Sequence, residues 1–204
     1  MPVQRFRRAQ CGVVLLVALV AVLVMALSAA SLLRSVDAST VIAGNLGFAQ
    51  AASAAADEAV ERAVAVLFEQ HLVADFTRDD SSNGYFASRQ VAESTRGVPH
   101  ALQALANYPR DGPVLDAGNG NVIRFVIERM CLAAGAATQD NCSLAPTAEP
   151  ALAVAGVPPV EPPLVAVFRQ SIRVDGPAGA TQFVQAWLAD IPGHQRLAWR
   201  ALGE

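Results

Sequence analysis

The chain contains no lysine; all fifteen basic residues are arginine. That absence removes Schiff-base catalysis and a P-loop lysine at once. Histidine is scarce, and the three present, His71, His100 and His194, are scattered. No G-x-S-x-G, H-E-x-x-H, C-x-x-C, G-x-G-x-x-G or Walker A sequence occurs, so no nucleophile elbow, zinc helix or phosphate-cradling loop is announced. Net charge is −3, with no basic run outside the first residues. A mildly acidic chain of this kind argues against nucleic acid as a directly bound partner. Proline is absent from Val3 to Val98 and then frequent. Nothing in that first stretch interrupts a long helix by proline.

What is present is concentrated at the N-terminus. Arg5, Arg7 and Arg8 precede an uncharged run, Val13 to Leu33, of twenty-one residues. As a helix this run rises about 31 Å, one crossing of a bilayer. The basic cluster predicts a cytoplasmic N-terminus, with everything after Leu33 exported. Three fates fit. Ser28-Ala29-Ala30 offers small residues for signal cleavage, although the apolar core exceeds the usual 7–15 residues. An uncleaved anchor fits the length. The third depends on Gly12, at the border between the basic leader and the apolar run.

From Arg34 to about Ala74 the apolar residues Val41, Phe48, Ala52, Ala59/Val60, Ala63/Val64 and Leu67 recur at helical spacing, with Glu58 and Arg62 as an i,i+4 pair on the other face. Gly44-Asn45 is a weak point, costing about 1 kcal/mol for the glycine. A helix from Val13 to Ala74 would measure about 90 Å. Asp79-Asp80-Ser81-Ser82-Asn83-Gly84 reads as the turn that ends it. The same stretch has a passing likeness to a calcium loop, with donors at Asp79, Ser81 and Asn83 and glycine sixth, but Gln90 stands where a bidentate glutamate belongs. His71 and Asp75, four apart, read as a hydrogen-bonded surface pair on the helix.

Further on, Pro99–Asn107 predicts a short helix, and Val122–Cys131 a strand. Leu164–Val174 and Thr181–Ala189 predict a hairpin around Asp175–Ala180, with Arg196–Leu202 as a last strand. Six of the twelve prolines fall in 146–163, an extended loop without chemistry. Phe183, Trp187 and Trp199 read as core or sheet-face residues. Cys131 and Cys142, in an exported domain, predict a disulfide worth about 2–3 kcal/mol. Metal binding by that pair is disfavoured because no second pair completes a site.

The N-terminal run Gln10-Cys11-Gly12-Val13-Val14-Leu15-Leu16-Val17-Ala18-Leu19 resembles the start of the PilX family of type IV pilus minor pilins. The likeness continues through Leu33-Arg34-Ser35, Ala43-Gly44-Asn45-Leu46, Phe48-Ala49-Gln50-Ala51-Ala52 and Ala55-Ala56-Asp57-Glu58-Ala59, and covers roughly residues 8–65. The resemblance implies a prepilin peptidase cut between Gly12 and Val13, N-methylation of the new Val13 amine, and partners among other minor pilins and the major pilin. It also implies inner-membrane residence before assembly and a pilus location afterwards. Two positions depart from the pattern. Val17 stands at the fifth mature position, where major pilins carry glutamate; the PilX family and the K-type pseudopilins tend to lack it too. Cys11 replaces the more usual arginine before the cut. Removal of residues 1–12 takes three arginines, changing the net charge from −3 to −6.

The chain thus reads as an α+β protein: a leader (1–12), a transmembrane helix (13–33), an amphipathic extension (34–76) and a pilin-like domain (77–204) with a small antiparallel sheet packed on the helix. No cofactor, metal, catalytic residue or small-molecule substrate is expected. A type II secretion pseudopilin is the alternative of the same class, although K-type subunits usually carry a larger inserted domain. A membrane-anchored periplasmic binding module, using the sheet and the Pro-rich loop, is the alternative of another class. An exported hydrolase would need a cleft with perturbed acids that the sequence does not display.

Overall fold

The computed structural model describes residues 11–90, 93–118, 120–148, 162–192 and 195–202. The chain divides into two compact units, Met1–Gly47 and Phe48–Glu204, and helix α1 (Cys11–Val64) contributes residues to both.

The described residues of the first unit all belong to α1. Its hydrogen-bonded backbone continues through Gly44-Asn45 without a break, because alanine- and leucine-rich flanks offset one poor helix former. Val13, Leu16, Met25 and Leu33 are all exposed, and from Val13 onward the helix is long and apolar enough to cross a membrane. Three of the five hydroxyls in this unit bond their own helix: Ser28 Oγ donates to the Val24 carbonyl, Ser39 Oγ to that of Ser35 and Thr40 Oγ1 to that of Asp37, each at 2.8 Å. A polar side chain that bonds its own helix can sit in a lipid-facing segment at little cost.

In the second unit the helix changes character. Ala52, Ala56, Ala59, Val60, Ala63 and Leu67 form one buried stripe, as the 3.6-residue period requires. The last turn widens, Ala65–Glu69 being π-helical, with the Gln70 amide donating to the Ala65 carbonyl at 2.8 Å. His71 follows at φ +49°, a left-handed residue that stops the helix. Helical structure therefore ends at Glu69, five residues before the expected Ala74. His71 and Asp75 consequently share no helix face. Asp75 instead accepts from the amide and hydroxyl of Thr77, at 2.8 and 2.6 Å.

Among the described residues seven strands follow: β1 (Tyr85–Phe86), β2 (Val114–Asp116), β3 (Val122–Arg129), β4 (Leu144–Pro146), β5 (Leu164–Asp175), β6 (Thr181–Ala189) and β7 (Arg196–Leu202). Their order is β1-β3-β5-β6-β7, with β2 also pairing β3 and β4 also pairing β5. All pairs are antiparallel except β1 with β3, which makes the sheet mixed. The hairpin β5–β6 and the final strand β7 stand where the alternating pattern puts them. Pro99–Asn107 divides into a four-residue helix α2 (His100–Gln103) and a 3-10 turn, Leu105–Asn107, separated by extended Ala104.

One face of the sheet carries Ile123, Phe125 and Ile127 from β3, Phe168, Ile172 and Val174 from β5, and Val184, Ala186 and Leu188 from β6. These pack with the buried stripe of α1 in one apolar core, closed at one end by Phe68, Phe76, Tyr85 and Phe168 with ring centroids 5.4–6.3 Å apart. Gln170, on the same face, donates Nε2 to the Ala59 carbonyl at 2.7 Å. This α+β arrangement, one long N-terminal helix and a mostly antiparallel sheet, is the fold class expected.

Candidate functional site

The Gly12–Val13 junction lies in the first turns of α1, and Val13 is exposed. Arg5, Arg7 and Arg8 lie outside the described residues, as do His194 and most of the Pro-rich loop.

Cys131 and Cys142 are joined, their sulfurs 2.08 Å apart. The loop they close is bonded chiefly to itself. The Leu132 amide donates to the Asn141 carbonyl at 2.7 Å, and Asn141 Oδ1 accepts from both the amide and hydroxyl of Thr138. One strand residue reaches in: Arg129 donates to the carbonyls of Ala87, at 3.1 Å, and Gly135, at 2.5 Å. Leu132 remains the most exposed large apolar residue of the loop, at 79%.

The acidic stretch after the helix is a turn whose oxygen atoms serve local bonds. Asp80 caps Ser81–Asn83, accepting from the Asn83 amide and side chain, and its carboxyl sits below the ordinary range because Ser82, then Asn83, donate to it. Asp79 Oδ1 accepts from the Ala87 amide at 2.7 Å, and Ser81 Oγ donates to Asp111. Asp79, Ser81 and Asn83 are thus spent on different partners, and the backbone at Gln90 is tied to the sheet, its N–H donating to Glu128. The likeness to a calcium loop is one of sequence, not of geometry. Gly84 closes the turn at φ +66°, where an added Cβ would meet the Phe125 carbonyl oxygen at 2.9 Å.

The chemistry the sequence did not announce lies on the sheet face opposite α1. There β3, β5 and β6 bury charged and polar groups. Glu128 is fully buried and accepts from Arg169 Nε at 3.1 Å, Arg169 Nη2 at 2.8 Å and the Gln90 amide at 2.8 Å. Arg169 also pairs with Glu93 at 2.5 Å. Burial pushes the Glu128 carboxyl above its usual value, opposed by Arg169 and the Gln90 amide. Burial works against the Arg169 charge as well, but the bond to Glu93 and the charge of Glu128 outweigh it and hold the guanidinium up. Nearby, Arg173 donates to the Leu102 and Gln103 carbonyls and pairs with Asp175 at 2.8 Å. Gln185 donates to the Gly97 carbonyl at 2.8 Å. The bonds to Gln90, Glu93, Gly97, Leu102 and Gln103 tie the connection between β1 and β2 to the sheet. Arginine suits the work, since its planar fork serves several acceptors at once. The residues are far apart in sequence, and a clue was available only in the alternation of charged with apolar side chains along Val122–Arg129 and Val167–Arg173.

Tyr108, in the same segment, donates its hydroxyl towards the Pro113 and Phe125 carbonyls, and burial raises it to about 12. Among the described residues no group of three or more His, Cys, Asp or Glu side chains is placed to hold a metal ion. The expected Glu58–Arg62 pair does not form. Asp57 instead takes Arg196 of β7, at 2.9 Å. Phe183 and Trp187 lie half-buried on the sheet face beneath Arg173 and Arg200, whereas Trp199 is 38% exposed beside the outer edge of β7. No protein-family model, curated protein or solved structure matches the chain.

Proposed function

We propose that the protein is a minor pilin of the PilX type: a prepilin held in the inner membrane by Val13–Leu33, with its N-terminus cytoplasmic and its folded unit in the periplasm. A prepilin peptidase removes the leader between Gly12 and Val13, and the mature chain joins other minor pilins and the major pilin to prime a type IV pilus. Such a subunit works by packing and turns over no substrate.

The observation that carries this reading is the change of character along one continuous helix. Val13 to Leu46 presents apolar side chains to the surroundings, while Ala52 to Leu67 supplies one wall of a folded core. A subunit that leaves lipid for a filament needs such a helix. Its first part must be satisfied in either apolar setting, and its second must carry a rigid domain. The disulfide agrees with an oxidising compartment, and Val17 in place of glutamate agrees with an initiating position.

The test is the N-terminal residue of the membrane-extracted protein, by intact mass or terminal sequencing. A methylated Val13 is the expected result, and Gly12→Phe should abolish it. A start at Met1 would instead make the chain a permanently anchored domain. A start near Ser31 would make it an exported protein freed by signal cleavage, and would end the pilin reading.

A further inference from the structure

β7 closes one side of the sheet, and among the described residues its outer edge has no partner. The opposite end is blunted by β1, which is only two residues long. A seven-residue unpaired edge is a row of free amide and carbonyl groups. Proteins usually guard such an edge with charged side chains laid across it. β7 has two arginines, and both are exposed but held by neighbours within the fold. Arg196 lies on Asp57 of α1, and Arg200 lies over the Trp187 ring, 5.1 Å from its centroid, with Nη2 donating to Gln185 Oε1 at 2.9 Å. Leu197 and Trp199, 42% and 38% exposed, are left beside the edge, against a groove that Ser53 and Asp57 of α1 complete.

The charges decide what fits. Arg200 is bonded to a neutral amide and Arg96, on the adjoining loop, is exposed; among the described residues neither forms an ion pair. The carboxylate beside them, Glu93 near Gly97, is already taken by Arg169 and Arg89, so these two guanidiniums are the uncompensated charges of this corner among the described residues. A second copy pairing antiparallel through β7 about Trp199 would set Arg200 diagonally across from its own equivalent on the same face, about 7–8 Å away. Like charges so placed oppose pairing. A strand with carboxylates at alternate positions would meet the same guanidinium favourably. We infer that the free edge of β7 is a strand-addition site for an extended, acidic segment of a partner protein, with backbone bonds giving affinity and Arg200 and Arg96 giving charge selection. Such a site would serve a filament subunit and a solitary anchored domain alike.

The experiment uses the full chain in detergent micelles and two labelled peptides, Val-Glu-Val-Glu-Val-Glu-Val and its lysine counterpart, read by fluorescence anisotropy. The acidic peptide should bind at least tenfold more tightly. Arg200→Glu should erase or invert that preference while thermal unfolding by circular dichroism stays within a few degrees of wild type. Should Arg200→Glu fail to fold, Arg96→Glu on the loop should reduce the preference severalfold. Trp199→Ala should weaken the acidic peptide severalfold. Failure of both peptides to bind at millimolar concentration, or equal binding of the two, would overturn the inference. So would concentration-dependent self-association abolished by Trp199→Ala, because the edge would then belong to a second copy.

Discussion

Removing Arg169 should do more damage than removing any surface arginine, and the damage should depend on pH. The guanidinium neutralises two carboxylates at once, one of them, Glu128, with no exposure to water. Arg169→Ala leaves Glu128 with the Gln90 amide as its remaining donor. Breaking a buried pair in this way costs about 3–5 kcal/mol, which for a domain of this size lowers Tm by roughly 6–20 °C. The sign of the pH dependence follows from linkage. Burial already pushes Glu128 above its ordinary 4.5, and loss of the cation pushes it further. An acid whose folded pKa is raised costs nothing below the unfolded value, and the penalty grows as pH rises towards the folded value. The deficit should therefore be smallest at and below the ordinary value of 4.5 and grow as pH rises above it. Arg169→Met with Glu128→Leu should recover most of it, since an apolar pair of similar volume avoids the orphaned charge. The assay is thermal unfolding of the full chain in detergent, followed by circular dichroism at a series of pH values. A deficit under about 1 kcal/mol, or one that does not change with pH, would refute the claim that this ion pair is buried and mutually dependent.

Three further outcomes follow from single sites. Gly176 faces the Phe48 ring so closely that a Cβ would overlap it; Gly176→Ala should cost about 1–3 kcal/mol by forcing the ring aside, seen as a lower denaturant midpoint, and an unchanged midpoint would mean the contact is not made. Reducing the Cys131–Cys142 bond, or Cys142→Ser, should cost about 2–3 kcal/mol; because the loop is bonded to itself, the core amides of β5 should keep their hydrogen-exchange protection while those of 132–141 lose it. Asp80 has a lowered folded pKa, so its contribution is present above the ordinary value of 3.8 and lost as pH falls through the folded one. Protection of the Asn83 and Gly84 amides, relative to their intrinsic exchange, should be lost as pH falls below the ordinary carboxylate range, and in Asp80→Ala the same loss should appear at neutral pH.

The helix and the main strands were legible in the sequence because their signals are local. Val13–Leu33 needs only its composition, and β5, β6 and β7 need only alternation between turn residues. The end of α1 was not legible. Leu72, Val73 and Ala74 continue an apolar pattern that fits a helix, and only the π turn and left-handed His71 cut it short. The partners of charged residues were harder still. Glu58 and Arg62 have the spacing of a pair, yet Asp57 finds its arginine 139 residues away, a contact that only the folded sheet can specify. For the same reason Arg169 and Glu128, 41 residues apart, gave no sign of belonging together. A network whose members meet only through strand register leaves no mark in spacing. The membrane-spanning reading of the first unit rests on composition that the fold retains, while the partners of that unit were never written in its own residues.

The stripe that α1 turns towards the sheet is mostly alanine, and alanine makes a smooth surface. Such a helix meets little resistance to sliding along its own axis, where a face of leucines would lock ridge into groove. Two side-chain bonds act as the detent: Gln170 on the Ala59 carbonyl, in the dry interior, and Arg196 on Asp57 at the rim. A pull on the N-terminal end of the helix would be resisted first at these two points. From Gln170 it would pass into β5, an interior strand paired with β3 and β6, as shear along the sheet, the direction in which many backbone bonds must break together.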